Sequence, residues 1–520
     1  MAVVTISSAA LCKASGLSEE EAIAGLTNIG MPVEFGELQT LLVEVTPNRP
    51  DLFSVWGLAR ALKAYARKEI PKYHVESSGY SIAVSKKTKG VRPAISASVV
   101  KGLKIDEDAI LGLMQLQEKL HDTIGRRRKK VAIGIHDLKP IMWPLEYVVA
   151  AGECFVPLDC EEEMDVRGVL KNHPKGIAFA HLVGENAVVI KDNAGVISFP
   201  PIINSERTRV TANSKDVLVD VTGTSQETVD TTLNIVTTAL VDLGGTAYSV
   251  NVGGKKCPDF APKKIKINLK EANSVLGLAL SQKEAESCLL RMGVRSDGKN
   301  ALIPPYRADV ISFTDVLEDI AIGYGYENFA PTLPAFNNIG KGKKNRKAIR
   351  GAMVGMGFSE IMTHILSNKE TLSVVGRGEG ALGIKNSASK EFNVLRTSLL
   401  QSVLLCFSNN KMKGLPQQFY EIGVVYDGGE EERLCFGEMG EGASMTSLQP
   451  YLQTLMKEIG VGFELQPCAD PVFISGRCAY VVVEGENVGV IGSAHPKIIE
   501  WFGLPAPISL CELKIGKLDS

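Results

Sequence analysis

Two stretches rich in glycine, proline and lysine interrupt the periodicity of this chain: NVGGKKCPDFAPKK at 251–264, and the segment 331–345. Neither suits the interior of a helix or strand, because proline removes a backbone donor and glycine resists ordering. A chain of 520 residues punctuated in this way is long enough for three or four domains, each with its own core. A change of pattern after residue 78 adds a further boundary. The expected segments are 1–78, 79–256, 257–332 and 333–520, and apolar residues, at 45%, are plentiful enough to fill them.

Each segment has its own rhythm. In the first, strand-like AVVTIS precedes the helix signal SEEEAIAGLTNIG, with Ser18 as N-cap and Gly30 as stop. A second helix, SVWGLARALKAYARK, follows Pro47 and Pro50, which hold the approach extended. Residues 79–256 change to short strands (SIAVS, ISASVVKGL, VAIGIHDL, LEYVVAAG, AVVI) around two helices, EDAILGLMQLQEKLHDTIG and ETVDTTLNIVTTALVDLGG. This is a mixed α/β unit. Residues 257–332 read as a small α+β unit, with strand KIKINL and helices LSQKEAESCLLRMG and FTDVLEDIAIGYG. The last segment alternates helices with period-two strands, which predicts a large antiparallel sheet with helices on one side. The fold class expected for the whole is multidomain α+β.

Composition excludes several roles. A net charge of −2 gives no global field toward nucleic acid or anionic lipid, so any such contact is local. No window reaches ~18 uninterrupted apolar residues, and the N-terminus has no basic-then-apolar leader, so a soluble, unprocessed chain is expected. The ten cysteines are scattered without a CxxC pair, which disfavours zinc and disulfides and predicts a reducing cytoplasm.

Residues 304–319, PPYRADVISFTDVLED, place Asp309, Asp315, Glu318 and Asp319 within eleven positions. A helix starting near Ser312 puts the last three at i, i+3 and i+4, on one face, with Asp309 in the loop before them. One reading is an acidic first turn complementing the helix dipole, with Ser312 and Asp315 at capping-box spacing. The other is an oxygen cradle for a hard cation such as Mg²⁺. A second polar region, ISFPPIINSERTRVTANSK followed by VLVDVTGTS, brings Asn204, Ser205 and Thr208 close in sequence to Asp220 and Thr222, which alternate onto one strand face. Such groups suit an activated water and oxyanion donors, or merely a strand ending in a turn. His136 in GIHDL, between apolar residues, reads as a hydrogen-bonded structural group rather than a base. GRRRKK at 125–130 and KGKKNRK at 341–347 suit phosphate contacts or solvated loops.

Six ordered motifs together carry a resemblance. TPNRPDLFSVWGLARAL at 46–62, AIGIHDL at 132–138, FPPIINSERT at 199–208, IPPYRADV…DVLEDIAIGYGY to Tyr326, VLRTSLLQSVL at 394–404 and FYEIG at 419–423 resemble the β-subunit family of phenylalanyl-tRNA synthetases, of the archaeal and eukaryotic type. The resemblance covers essentially the whole chain. It implies an N-terminal unit, an editing domain, a small DNA-binding-like domain, and a domain resembling the class II synthetase catalytic fold. It implies an α2β2 tetramer that attaches phenylalanine to tRNA(Phe) with ATP, activation being carried by the α subunit, without a further C-terminal anticodon-binding module of the bacterial kind. It also implies Mg²⁺ at Asp309, Asp315, Glu318 and Asp319. It links an acid and a threonine at the spacing of Asp220 and Thr222 to hydrolysis of mischarged Tyr-tRNA(Phe), with Asp220 in recognition or water orientation and Thr222 and Asn204 in positioning. A class II synthetase grips ATP phosphates with arginines. Here FYEIG has none between its aromatic and acidic residues, and no arginine follows Arg477, so the last domain is expected to be a scaffold.

Overall fold

In the computed structural model, residues 2–37, 39–333 and 345–518 are described. The chain forms two compact units, 1–332 and 333–520. In the first, helix α1 (Val55–Arg67) begins where Ser54 accepts from the Gly57 N–H at 3.1 Å. Its apolar stripe, Leu58, Ala59 and Leu62, is buried. The stripe packs with a three-stranded antiparallel sheet of Ala2–Ser7, Thr40–Val45 and Val33–Phe35. Just ahead of α1 the chain turns through Pro50–Leu52 and presses against it: a Cβ on Gly57 would fall 1.9 Å from the Asp51 carbonyl oxygen.

The next strands are β1 (Val75–Val84), β2 (Ala94–Lys101), β3 (Val131–Asp137), β4 (Leu145–Val149), β5 (Val188–Asp192), β6 (Gly195–Phe199), β7 (Ile203–Asn204), β8 (Val217–Gly223), β9 (Thr246–Val252) and β10 (Lys255–Cys257). They make one ten-stranded sheet in the order β7-β6-β5-β4-β1-β9-β2-β8-β3, with β10 paired to β9. Pairing is antiparallel except where β1 meets β9 and β4. Helix α2 (Glu107–Asp122), capped by Asp106, precedes β3. Helix α3 (Gln226–Asp242) covers β2 and β8. Alternation along β8 then divides its side chains. Val217, Val219 and Val221 enter the core under α3, whereas Leu218 joins a second core on the opposite face, the face that Asp220 and Thr222 share by parity.

The end of this unit holds a three-stranded sheet of Lys263–Lys266, Asn300–Ile303 and Arg295–Ser296. Around it lie the helix Leu269–Leu276, α4 (Gln282–Arg291), with a Ser281/Glu284 capping box, and α5 (Phe313–Tyr324). The second unit is a seven-stranded sheet in the order Ser359–Glu360, Gln417–Tyr426, Glu430–Met439, Ile508–Lys514, Glu486–Ala494, Phe473–Val483 and Glu464–Pro467, antiparallel after the first pair. The expectation of helices on one side is corrected. Leu400–Asn409 and Pro496–Trp501 pack on one face, and Asn345–Gly355 and Met445–Glu458 on the other. The strands carry apolar residues at both parities, such as Val425 toward one core and Tyr420 toward the other, so both faces must be covered.

The contact at Gly57 gives a stability prediction. Gly57→Ala forces backbone rather than a pliable side chain to move and destabilises the chain by about 1–3 kcal/mol despite the better helix propensity of alanine, measurable by urea unfolding.

Candidate functional site

The strand order places β7 and β3 at opposite ends of the large sheet, yet the sheet curls until they meet. Asn204 Nδ2 on β7 donates to the Ile135 carbonyl on β3 at 3.4 Å. Between these ends and α2 lies a cavity of about 260 Å³. Leu113 and Met114 of α2 and Phe199, Pro200 and Ile202 give it apolar walls; Ser198, Asn204, Thr208 and Asp220 give it polar ones.

Asp220 is buried in β8 with its Oδ2 2.8 Å from His136 Nε2 on neighbouring β3. A carboxylate only accepts, so His136 Nε2 carries a hydrogen and donates it. The other imidazole nitrogen, Nδ1, stands 2.8 Å from Thr208 Oγ1. The register places Gly134 opposite Asp220, and a Cβ there would come within 2.1 Å of Asp220 Oδ2 and 2.6 Å of His136 Nε2. Glycine at that position is therefore a condition of the pair. His136, set aside in the sequence as a structural group, is the partner that sequence reasoning missed. The signal available was Gly-x-His on a strand beside a strand bearing an acid.

Of the other expected residues, Asn204 lines the cavity and also accepts from Ser198 Oγ at 3.3 Å. Thr222 does not line it. Its hydroxyl accepts from Arg92 Nε at 3.0 Å, and its carbonyl accepts from Arg92 Nη2 at 2.8 Å. The expectation of Thr222 at the pocket is thus corrected: parity with Asp220 holds, but a distant arginine claims the side chain. Arg92 is buried, and burial pulls its guanidinium down to about 10, with Asp220 and Tyr147 opposing.

Arg126, Arg127 and Arg128 all adopt left-handed backbone, with φ of 48°, 53° and 64°. The turn leaves Arg126 and Arg127 exposed but buries Arg128 in the cavity wall. There its guanidinium holds Glu118 at 2.7 Å and the Ile202 carbonyl at 3.0 Å, and stacks on Phe179 at 4.7 Å. The basic run is therefore split, and Arg128 is no phosphate clamp. Nearby, burial lowers the pKa of His121, and its Nε2 accepts from the Ile133 N–H at 2.9 Å. The second run, 341–347, lies outside the described residues from 341 to 344; Arg346 pairs with Glu432 at 2.8 Å.

The four acids read as magnesium ligands are not brought together as a set. Arg307 is buried and forks onto two of them, Asp309 at 2.7–3.2 Å and Asp319 at 2.9–3.1 Å. Burial pushes the Asp319 carboxyl up, with Arg307 pulling it back. Asp315 turns to the helix start, accepting from the Ile311 and Ser312 N–H groups at 2.8 and 2.7 Å. Glu318 is exposed. Among the described residues no group of three or more acids, histidines or cysteines is disposed to hold a metal. The four do not fit Mg²⁺ as ligands of one ion within this chain, because a guanidinium already serves buried Asp319 and half-buried Asp309. Replacing Asp319 by Ala takes from buried Arg307 one of its two carboxylate partners and destabilises the chain by ~1–3 kcal/mol, whereas Glu318→Ala stays within about 0.5 kcal/mol; denaturant unfolding of the two variants checks both.

In the second unit two arginines are buried. Arg396 is buried against Glu421 at 2.8 Å, and Arg433 against Glu512 at 3.1 Å. Arg346, Arg350 and Arg377 also hold carboxylates. Only Arg477 has no ion pair among the described residues of this unit, and it is exposed.

Comparison with known proteins agrees with this layout. A profile described as "Phenylalanyl tRNA synthetase beta chain CLM domain" matches residues 330–515, and one described as "tRNA synthetase B5 domain" matches 265–326. The phenylalanine–tRNA ligase β subunit of Archaeoglobus fulgidus is 37% identical over 99% of this chain and 98% of its own. That of Metallosphaera sedula is 37% identical over 97% of each. The crystal structure of an N-terminal fragment of the phenylalanyl-tRNA synthetase β subunit from Pyrococcus horikoshii is similar to 62% of this chain, spanning 99% of the fragment at 35% identity and a TM-score of 0.59. With relatives aligned from end to end and both profiles in chain order, this chain belongs to the β-subunit family of phenylalanine–tRNA ligases.

Proposed function

We propose that the chain is the editing and scaffolding half of a phenylalanine–tRNA ligase: it hydrolyses mischarged Tyr-tRNA(Phe), while a companion α subunit activates phenylalanine with ATP in an α2β2 tetramer. The observation that carries the editing role is Asp220 lining a cavity of apolar and polar walls, with one carboxylate oxygen engaged by His136 and no donor to the other among the described residues. Tyrosine and phenylalanine differ by one hydroxyl. An apolar synthetic pocket rejects an added hydroxyl only about 100-fold, whereas a buried group that must bind a hydroxyl rejects the ligand lacking it by roughly 10⁴-fold or more. Asp220 Oδ1 is such a group. It accepts the phenolic hydroxyl of a tyrosyl ester and stays unsatisfied against a phenylalanyl one. Asn204 and Ser198 orient the ester, and water takes the place of the tRNA ribose oxygen at the acyl carbon.

The scaffold role rests on the pairing of the second unit's arginines: Arg396 and Arg433 are buried against carboxylates, Arg346, Arg350 and Arg377 are ion-paired nearer the surface, and among the described residues only Arg477 keeps a guanidinium fork free of a carboxylate. Exposed Arg126 and Arg127 are assigned to tRNA phosphates. No described helix is long and apolar enough to cross a membrane, in keeping with a cytoplasmic setting. Magnesium retains a place only at the subunit boundary, where the carboxylates of Asp315 and Glu318, not held by Arg307, are completed by the α chain, since Mg²⁺ takes one or two carboxylates and keeps its waters.

Two assays test the reading. The reconstituted complex deacylates Tyr-tRNA(Phe), and Asp220→Ala lowers the rate by at least about 100-fold; a wild-type complex that leaves the mischarged tRNA intact removes the editing role. The isolated chain shows no phenylalanine-dependent ATP–pyrophosphate exchange until α is added, and exchange by the chain alone removes the scaffold role.

A further inference from the structure

His136 touches the cavity through others. It is fully buried and lines none of the wall, yet its two ring nitrogens hold two residues that do, Asp220 and Thr208. The wiring of hydrogens is constrained. Nε2–H is donated to Asp220 Oδ2 whether the ring is neutral or charged, because a carboxylate offers no hydrogen in return. With the ring neutral, Nδ1 accepts from Thr208, whose single hydroxyl hydrogen is then spent and whose alternative acceptor, the Ser205 carbonyl, lies farther away at 3.3 Å. Thr208 then meets the cavity as an acceptor only. Among the described residues the Asp220 carboxylate has no hydrogen bond besides the one from His136. The buried guanidinium of Arg92 acts on its charge through space but donates to Thr222 instead. Gly134 keeps the space in which the pair meets.

We infer that His136 is the positioning residue for tyrosyl selectivity. It fixes the orientation of the Asp220 carboxylate, consumes Oδ2, and leaves Oδ1 as the single oxygen offered to a ligand hydroxyl. This rests on the editing reading above, and names the group that makes the recognising carboxylate directional. Without the Nε2–H bond the carboxylate is free to rotate, to protonate, or to bind water in place of the ligand hydroxyl, and the preference for tyrosyl over phenylalanyl esters falls. A hydrogen bond to a charged group contributes enough for a change of roughly 10- to 100-fold.

The experiment uses the α/β complex and compares kcat/KM for Tyr-tRNA(Phe) and Phe-tRNA(Phe) across wild type, His136→Ala, His136→Gln, His136→Asn and Asp220→Asn. Expected is a tyrosyl-specific loss of about 10- to 100-fold in His136→Ala, with phenylalanyl hydrolysis little changed. His136→Gln, whose amide reaches the Nε2 position, recovers selectivity; His136→Asn, which reaches only the Nδ1 position, does not. Equal loss for both esters without rescue by Gln means a purely structural histidine and overturns the inference. So does unchanged selectivity in His136→Ala while Asp220→Asn loses it, although the editing reading then stands. If the alanine variant does not fold, the Gln–Asn pair decides, and equal selectivity in the two overturns the inference. A wild-type complex without tyrosyl preference removes the reading beneath it.

Discussion

A carboxylate buried in a sheet is expensive to ionise unless something compensates it, and Asp220 is such a carboxylate. The arrangement about it answers that requirement piece by piece. One neighbouring strand supplies an imidazole hydrogen, another position on that strand is left without a side chain, and a buried guanidinium sits near enough to offset the charge without touching it. The other oxygen has no donor among the described residues, and the residue lines the cavity. An acceptor with capacity left in a cavity wall is suited to a ligand that donates.

The second unit treats charge in the opposite way. Arg396 and Arg433 are held by the protein: Arg396 by Glu421, Thr363 and the Val424 carbonyl, Arg433 by Glu512, Glu431 and Asp427. Such guanidinium groups tie strands and loops to one another. Both are buried, and cores cover the two faces of the sheet that they belong to.

Much of this was legible in the sequence, because it is local. The helix at 19–28 under Ser18, the start of α5 at Ser312, and the common parity of Asp220 and Thr222 follow from short-range rules of capping and alternation. What escaped depends on register and on distant partners. His136 meets Asp220 only because β3 and β8 pair with Leu218 opposite His136, a fact that no window of either segment contains. Thr222 is diverted by Arg92, 130 positions away. The acids of 309–319 were read for spacing, while the cation that takes two of them, Arg307, stood two residues ahead in the same motif. In GRRRKK, three successive left-handed residues turn one arginine inward, against the steric preference of L-residues, and composition alone does not report that.

Finally, the pocket is bounded by strands at opposite ends of a nine-strand path. Each pairing along that path adds its own increment of twist, about 20–25°, and two of the pairings, β5 with β6 and β1 with β9, carry irregular steps. The aperture of the pocket is therefore an accumulated quantity, set by every strand in between. A substitution in a central strand remote from the cavity therefore acts on the width of its mouth through every strand in between, as a load acts through a spring.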